Sequence, residues 1–301
     1  MVLQIAKYDI HPDKLIGRHA RLAAGMALAV ASLGGGPTRR APPPPASPPA
    51  VQAGALRITV LYDNTAADAR FQADNGFAAL IEYRGHTLLM DAGQHPDILR
   101  RNMDSLGIAT SRIEAIVLTH AHGDHGRGLP ALVDGRVGRP LYVGAHARDW
   151  VRIQAVMDSF SGVFTLADVV PRQELIPGVF TTGEMMDSAA QGAGRTPEPS
   201  LVIPTDSGLV IVTGCAHPGV VSVVRRAIEL FGGPVRLVMG GFHLFETSAA
   251  EIGQVVADFR ALGVRRVGPG HCTGTPAIAQ FTEAYGSDYV RLGAGRVLVM
   301  N

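Results

Sequence analysis

From residue 55 onward the apolar positions alternate between two kinds of pattern. Short continuous apolar runs bounded by turn residues predict buried strands, and spacings of three and four predict helices. "LRITVLYDN" (56–64) and "AALIEYRGHTLLMDAG" (78–93) read as strands, with "RGH" supplying a hairpin turn in the second. "HPDILRRNMDSLGI" (95–108) places Ile98, Leu99, Met103 and Leu106 on one side of a helix. "IEAIVLTH" (113–120) and "RPLYVGAH" (139–146) are further strands, and 148–160 reads as a helix. The second half repeats this style. "SLVIPTDSGLVIVTGCAH" (200–217) is a hairpin around Asp206, Ser207 and Gly208, followed by a helix over 219–232 and a strand, "VRLVMGGFHL" (235–244). A helix over 248–263 opens with Ser248 as N-cap and Glu251 as its capping-box partner. "RRVGPGHCTG" (265–274) is a short strand, "PAIAQFTEAYG" (276–286) a helix, and "YVRLGAGRVLVM" (289–300) closes the chain with strands.

The first 54 residues follow neither pattern. Arg18 and Arg21 precede a short apolar stretch (22–33) containing Ala29-Val30-Ala31, the layout of a signal peptide. The stretch is too short to span a bilayer, so no stable membrane insertion is expected. "APPPPASPPA" (41–50) is an extended, polyproline-like linker. The expected organisation is a signal-like, disordered segment over 1–54 and one folded domain over 55–301, exported to the periplasm or beyond. An extension with a misplaced start codon, on a cytoplasmic protein, is the alternative.

Composition narrows the function. The 301 residues include 27 basic and 26 acidic side chains, a formal net charge of +1. No basic block extends beyond short pairs such as Arg39-Arg40 and Arg265-Arg266, so a nucleic-acid surface is not expected. A small-molecule substrate is the expected partner, and a homo-oligomer is possible. The two cysteines, Cys215 and Cys272, make no disulfide framework, and each lies beside a histidine in a Gly-rich context that favours a role at or near a metal.

Several predicted strands end in a polar residue able to ligate: Asp91, His120, His146, Cys215 or His217, His243 and His271. The densest such end is "THAHGDHGRG" (119–128), with three histidines and an aspartate. His120 and His122, two apart, can aim at one ion. Asp124 and His125 follow on the turn into a helix and point elsewhere, which suits two neighbouring divalent ions. Imidazole and carboxylate favour zinc, and manganese or iron can also use them. A bound dication lowers the pKa of coordinated water to roughly 7, giving a hydroxide nucleophile at neutral pH.

At these residues the chain resembles the metallo-β-lactamase superfamily, whose signature is H-x-H-x-D-H. The resemblance implies an α+β fold, a four-layer αββα sandwich with a dinuclear site at one edge of two packed sheets. "LLMDAGQ" is similar to the superfamily's first motif, in which Asp91 would brace the site. "GPGHCTG" is similar to its last, with His271 on the second metal. Together with "VLYDNTA", "TGCAHPGV" and "GGFHL", the motifs resemble the branch of dihydropterin-ribofuranosyl-aminobenzene-phosphate synthase-like metallo-hydrolases. Two family positions are vacant. No histidine occurs over 172–213, which leaves His217 as the candidate to complete the first metal. Cys215 stands about where a bridging aspartate is expected, either as a thiolate ligand or as a small buried residue. Beside Asp124, His243 is the second catalytic candidate, as substrate-binding residue or proton donor; a structural histidine is the alternative. His146 is read as a residue supporting the ligands, and Asn64, with Asp63, as a substrate contact. Cys272 is expected to point away from the metals. The Gly/Ala-rich stretch 181–200 reads as a flexible loop or a lid, with Arg195 as its candidate for a phosphate.

These readings converge on a dinuclear-metal hydrolase, or related transferase, acting on a small phosphate- or ester-bearing molecule. The competing classes are an iron-dependent oxidoreductase of the same fold and a non-catalytic metal-binding module.

Overall fold

The computed structural model describes residues 55–158, 160–186 and 196–301. The signal-like segment, the Pro-rich stretch and Arg195 lie outside the described residues. The first half runs β1 (Leu56–Tyr62), β2 (Ala78–Tyr83), β3 (His86–Met90), α1 (Pro96–Ser105), β4 (Ala115–Leu118), a one-turn α2 (Gly123–Gly126), β5 (Arg139–Val143), α3 (Arg148–Met157) and β6 (Phe164–Asp168). The second half runs β7 (Glu174–Ile176), β8 (Val179–Thr181), β9 (Leu201–Thr205), β10 (Gly208–Thr213), α4 (Val220–Phe231), β11 (Val235–Gly241), α5 (Ala249–Ala261), β12 (Arg266–Gly270) and α6 (Thr275–Tyr285). The last strand, β13 (Val297–Met300), returns to the first sheet.

Two mixed sheets result. One has the order β13-β1-β2-β3-β4-β5-β6 and the other β12-β11-β10-β9-β8-β7. The central strands are buried on both faces, which is why they read as continuous apolar runs rather than as alternation. In β10 every residue is buried. Val210 and Val212 face the core between the sheets, while Leu209 and Ile211 face the helices. In β4, Ala115 and Val117 join the same inter-sheet core, and Ile116 and Leu118 pack with α1 and α3 residues such as Leu99, Met103 and Val151. On the far side, α4, α5 and α6 bring Val223, Phe259 and Phe281 onto the second sheet. The layers are therefore helix, sheet, sheet, helix. A one-residue register slip would exchange the two faces of a strand and bury the wrong set, so the apolar pattern pins the register.

The pairing also sets which ends meet. β3 and β4 are parallel, as are β10, β11 and β12, and β1 runs with β3 because each is antiparallel to β2. Six strands therefore deliver their C-terminal ends to one edge. Four segments depart from the sequence pattern. β6, β7 and β8 occupy a region with no predicted strand, and the helix expected over 148–160 stops at Met157.

Candidate metal centre

The strand ends carry the site. Asp91 follows β3, buried, and accepts from the backbone N–H of Thr119 at 2.8 Å and from its hydroxyl at 2.9 Å. The same carboxylate lies 2.7 Å from His125 Nδ1. Thr119 Oγ1 gives its proton to Asp91, so at 2.9 Å it accepts from His120 Nδ1. His271 Nδ1 is 2.9 Å from the side-chain oxygen of Asn64, which can only accept. In each case the partner fixes the proton on Nδ1 and leaves the Nε2 lone pair facing the centre of the site, the usual arrangement for a metal-ligating imidazole.

Those lone pairs converge. His120 Nε2 lies 3.1 Å from His122 Nδ1, and His125 Nε2 lies 3.1 Å from His271 Nε2. Two nitrogens held at about 2.0–2.1 Å on a tetrahedral zinc ion stand roughly 3.3–3.4 Å apart, so both pairs have close to the spacing of shared ligands. The ring of His217 lies 4.8 Å from that of His120 and 4.9 Å from that of His122, and its Nε2 is buried without a hydrogen-bond partner. His120, His122 and His217 form one group whose ligand atoms lie within 4.8 Å of one another, and Asp124, His125 and His271 form a second. The groups adjoin, with 4.2 Å between the ring centroids of His120 and His125. Cys215 Sγ lies 3.2 Å from His125 Nε2 and belongs with His120 and His125 to a third such group. The residues present therefore fit two cations side by side: an unsatisfied imidazole nitrogen, converging lone pairs, and a mixed donor set of nitrogen, oxygen and sulfur that suits zinc.

Without cations the cluster is electrostatically polarised. Burial, reinforced by neighbouring imidazoles, holds His120 well below the usual histidine range and takes His217 and His271 down to about 3. His125 goes the other way. Burial opposes its protonation, but the carboxylate of Asp91 outweighs burial and raises it to about 9.

Glu198 is a site residue that the sequence reading missed. It is fully buried, and its two oxygens accept from the backbone N–H groups of Cys215 at 2.8 Å, Ala216 at 3.1 Å and His217 at 3.0 Å. Burial raises its carboxyl to about 7 against the pull of those three donors. A Cβ on Gly214 would stand 2.5 Å from Thr119 Oγ1 and 2.7 Å from Glu198 Oε1, so only glycine lets the end of β10 come this close. Asp91, Ala216, His243 and His271 all have positive φ, at 58°, 61°, 51° and 44°. Non-glycine residues in that region cost about 1–3 kcal/mol each, and they cluster where a fold must aim a functional group.

The other predicted residues divide. His243 lines the cavity, its ring 4.2 Å from that of His217, with Nδ1 buried and unpartnered. Its hydrogen bond to Cys272 raises its pKa. Cys272 does not point away from the site: it lines the cavity, groups with Cys215 and His271, and shares a hydrogen bond with Cys215 that lowers Cys272 and raises Cys215. Asn64 lines the cavity, but its oxygen serves His271 and the Gly76 N–H, and its amide nitrogen lies 3.3 Å from Asn75. Asp63 is buried and accepts from the backbone of His271 and Thr65. The supporting role read for His146 does not hold. β5 sits beyond β4 from the cluster and releases His146 into an exposed turn, where Nδ1 pairs with Glu184 at 3.3 Å.

The ligand groups open into a cavity of about 850 Å³. Its wall is shared by both sheets and by α6.

Comparison with known proteins identifies the family and the fold. The model of the metallo-beta-lactamase superfamily matches residues 72–237, more than half of the chain. The chain is 28% identical over 279 residues to a 7,8-dihydropterin-6-methyl-4-(beta-D-ribofuranosyl)-aminobenzene-5'-phosphate synthase of Methanocaldococcus jannaschii, covering 80% of this chain and 95% of the relative. Among solved structures it resembles Tm1679, a metal-dependent hydrolase of the beta-lactamase superfamily, with TM-score 0.66 and 26% identity over 81% of this chain and 98% of that one. Zn(2+)-bound PqqB from Methylobacterium extorquens shares the fold at TM-score 0.56 and 15% identity, over 80% and 99% of the two chains. With its signature histidines gathered at the edge of two packed sheets and more than half of its length matching the family model, the chain belongs to the metallo-beta-lactamase superfamily.

Proposed function

We propose that this chain is a dinuclear-metal hydrolase, or a related group transferase, acting on a small molecule with a phosphate or ester group. The observation that carries the reading is the pair of adjoining ligand groups, His120/His122/His217 and Asp124/His125/His271, opening into one cavity. When bound, two cations supply a coordinated water acidic enough to act as a nucleophile near neutral pH and a positive charge for the substrate's oxygen. Zinc suits the donor set best, and manganese and iron are the alternatives.

The chain's own groups do the rest. Asp91, Thr119 and Asn64 hold His125, His120 and His271 in the tautomer that turns Nε2 inward. Glu198 fixes the loop that carries Cys215 and His217. His243 faces the cavity and, with its pKa raised beside Cys272, holds a proton it can deliver to a leaving group. The phosphate comes from the name of the Methanocaldococcus relative, a synthase whose product carries one; that name is also what favours group transfer as the second reading.

Metal analysis and a turnover panel test this together. Purified protein is expected to hold two equivalents of metal by plasma mass spectrometry and to turn over ester or phosphodiester substrates. His120→Ala and Asp124→Ala are expected to lose metal and activity with the fold retained, and His243→Ala to keep metal and lose about 10²–10⁴-fold in turnover. Full activity in either of the first pair would refute the reading. Iron with visible absorption would favour the oxidoreductase, and tight metal without turnover the binding module.

A further inference from the structure

One cation on the cavity wall is not used by the chemistry above. Arg291 lies in the segment between α6 and β13 and lines the same cavity as His122, Asp124, His217 and His243. It is exposed, and among the described residues it has no hydrogen-bond acceptor and no carboxylate within 4.0 Å. Other arginines are matched: Arg112 to Glu82, Arg139 to Asp134, Arg226 to Glu229. The two carboxylates that line the cavity are engaged elsewhere. Asp63 accepts from His271 and Thr65, and Asp124 faces Asn75 at 3.2 Å and His271 at 3.5 Å. The same cavity also presents the apolar and aromatic side chains of Phe245, Ile278, Tyr289 and Leu292. Phe245 is 51% exposed, which leaves part of its ring open for a ligand body to lie against. A mostly apolar cavity with a few convergent polar groups is the usual form of a small-molecule site, and a planar guanidinium is the group best matched to a carboxylate or phosphate.

We propose that Arg291 is a specificity-determining residue: it binds a second anionic group, carboxylate or phosphate, on a flat apolar or aromatic substrate body whose reacting end faces the metal-ligating side chains. This rests on the metal-centred reading of the site. The apolar wall accepts the body of the molecule, and Arg291 selects those members that carry a charge remote from the bond being broken.

The test uses zinc-loaded full-length protein and two probes, phenylphosphonate and 4-carboxyphenylphosphonate, with affinities measured by titration calorimetry. The carboxylated probe is expected to bind wild type at least tenfold more tightly. Arg291→Met should erase that gap without changing metal content or melting temperature, and Arg291→Lys should restore part of it. Equal binding of both probes, no binding of either, or a gap that survives in Arg291→Met would overturn the proposal. Metal-stripped protein separates the two readings. If phenylphosphonate binds equally with and without metal while Arg291→Met still erases the gap, the metal reading fails and the role of Arg291 stands. If stripping abolishes phenylphosphonate binding and the gap persists in Arg291→Met, the reverse holds.

Discussion

Glu198 shows how much a single side chain can hold at this site. Three consecutive N–H groups, those of Cys215, Ala216 and His217, converge on its carboxylate in a buried position where no solvent replaces it. Glu198→Gln keeps the shape but turns one acceptor into a donor facing an N–H. A loss of about 1–3 kcal/mol in urea-unfolding stability is expected for the stranded group. Metal affinity should fall by roughly 10–100-fold, the usual effect of removing a partner that orients ligands. Cys215→Ser tests the thiol directly: cobalt-loaded wild type should show a sulfur-to-metal absorption band that the variant lacks. The clustered histidines were legible in the sequence because H-x-H-x-D-H is a local spacing ahead of a helix. Glu198 was not legible, since it is a lone carboxylate in a Gly/Pro-rich stretch whose partners are backbone groups on another segment. His146 has the same chemistry as the true cluster members and ends a similar strand; only the placement of β5 and the outward turn after it separate them.

At the level of elements, local signals read well and non-local ones did not. The N-terminus of α5 is a capping box in which the Ser248 hydroxyl accepts from the Glu251 N–H and the Glu251 carboxylate accepts from the Ser248 N–H. Both halves of that exchange lie within four residues, so the pattern is visible in sequence. Ser248→Ala is expected to cost about 0.5–2 kcal/mol in unfolding stability while metal content stays unchanged. Further along α5, Phe259 is buried against Phe242 and Phe281 at 5.7 and 5.6 Å between centroids. Phe259→Ala should cost about 3–5 kcal/mol by the same measurement, as lost burial and a cavity combine. Strands β6, β7 and β8 escaped the reading because they are short and partly exposed: β6 pairs with β5 and β8 with β9, whereas among the described residues β7 pairs only with β8, in a hairpin of three-residue strands. Their sequences carry little apolar pattern, and pairing alone makes them strands.

For the whole molecule, the buried titratable groups set the response to pH when metal is absent. His217 and His271 have folded-state values near 3, below their ordinary 6.5. Their contribution is present above pH 6.5 and is lost as pH falls towards 3, because the unfolded chain takes up protons that the native state refuses. His125 is raised to about 9, so its contribution is present below pH 6.5 and is lost as pH rises through about 9. Glu198, raised to about 7, adds a smaller loss between pH 4.5 and 7. Cys272, lowered from 9 to about 5, gains stability over the range in which His125 loses it, so the metal-free protein is expected to lose melting temperature mainly as pH falls from 6.5 towards 4. A melting temperature unchanged from pH 4 to pH 9 would contradict this.

Each ligand group draws from both sheets: His120 and His122 follow β4 whereas His217 follows β10, and Asp124 and His125 follow β4 whereas His271 follows β12. An ion seated in either group would act as a rivet between the two slabs of the sandwich. Chelation should then do more than silence chemistry. It would unpin the halves from each other along one rim, and amide exchange would quicken there first.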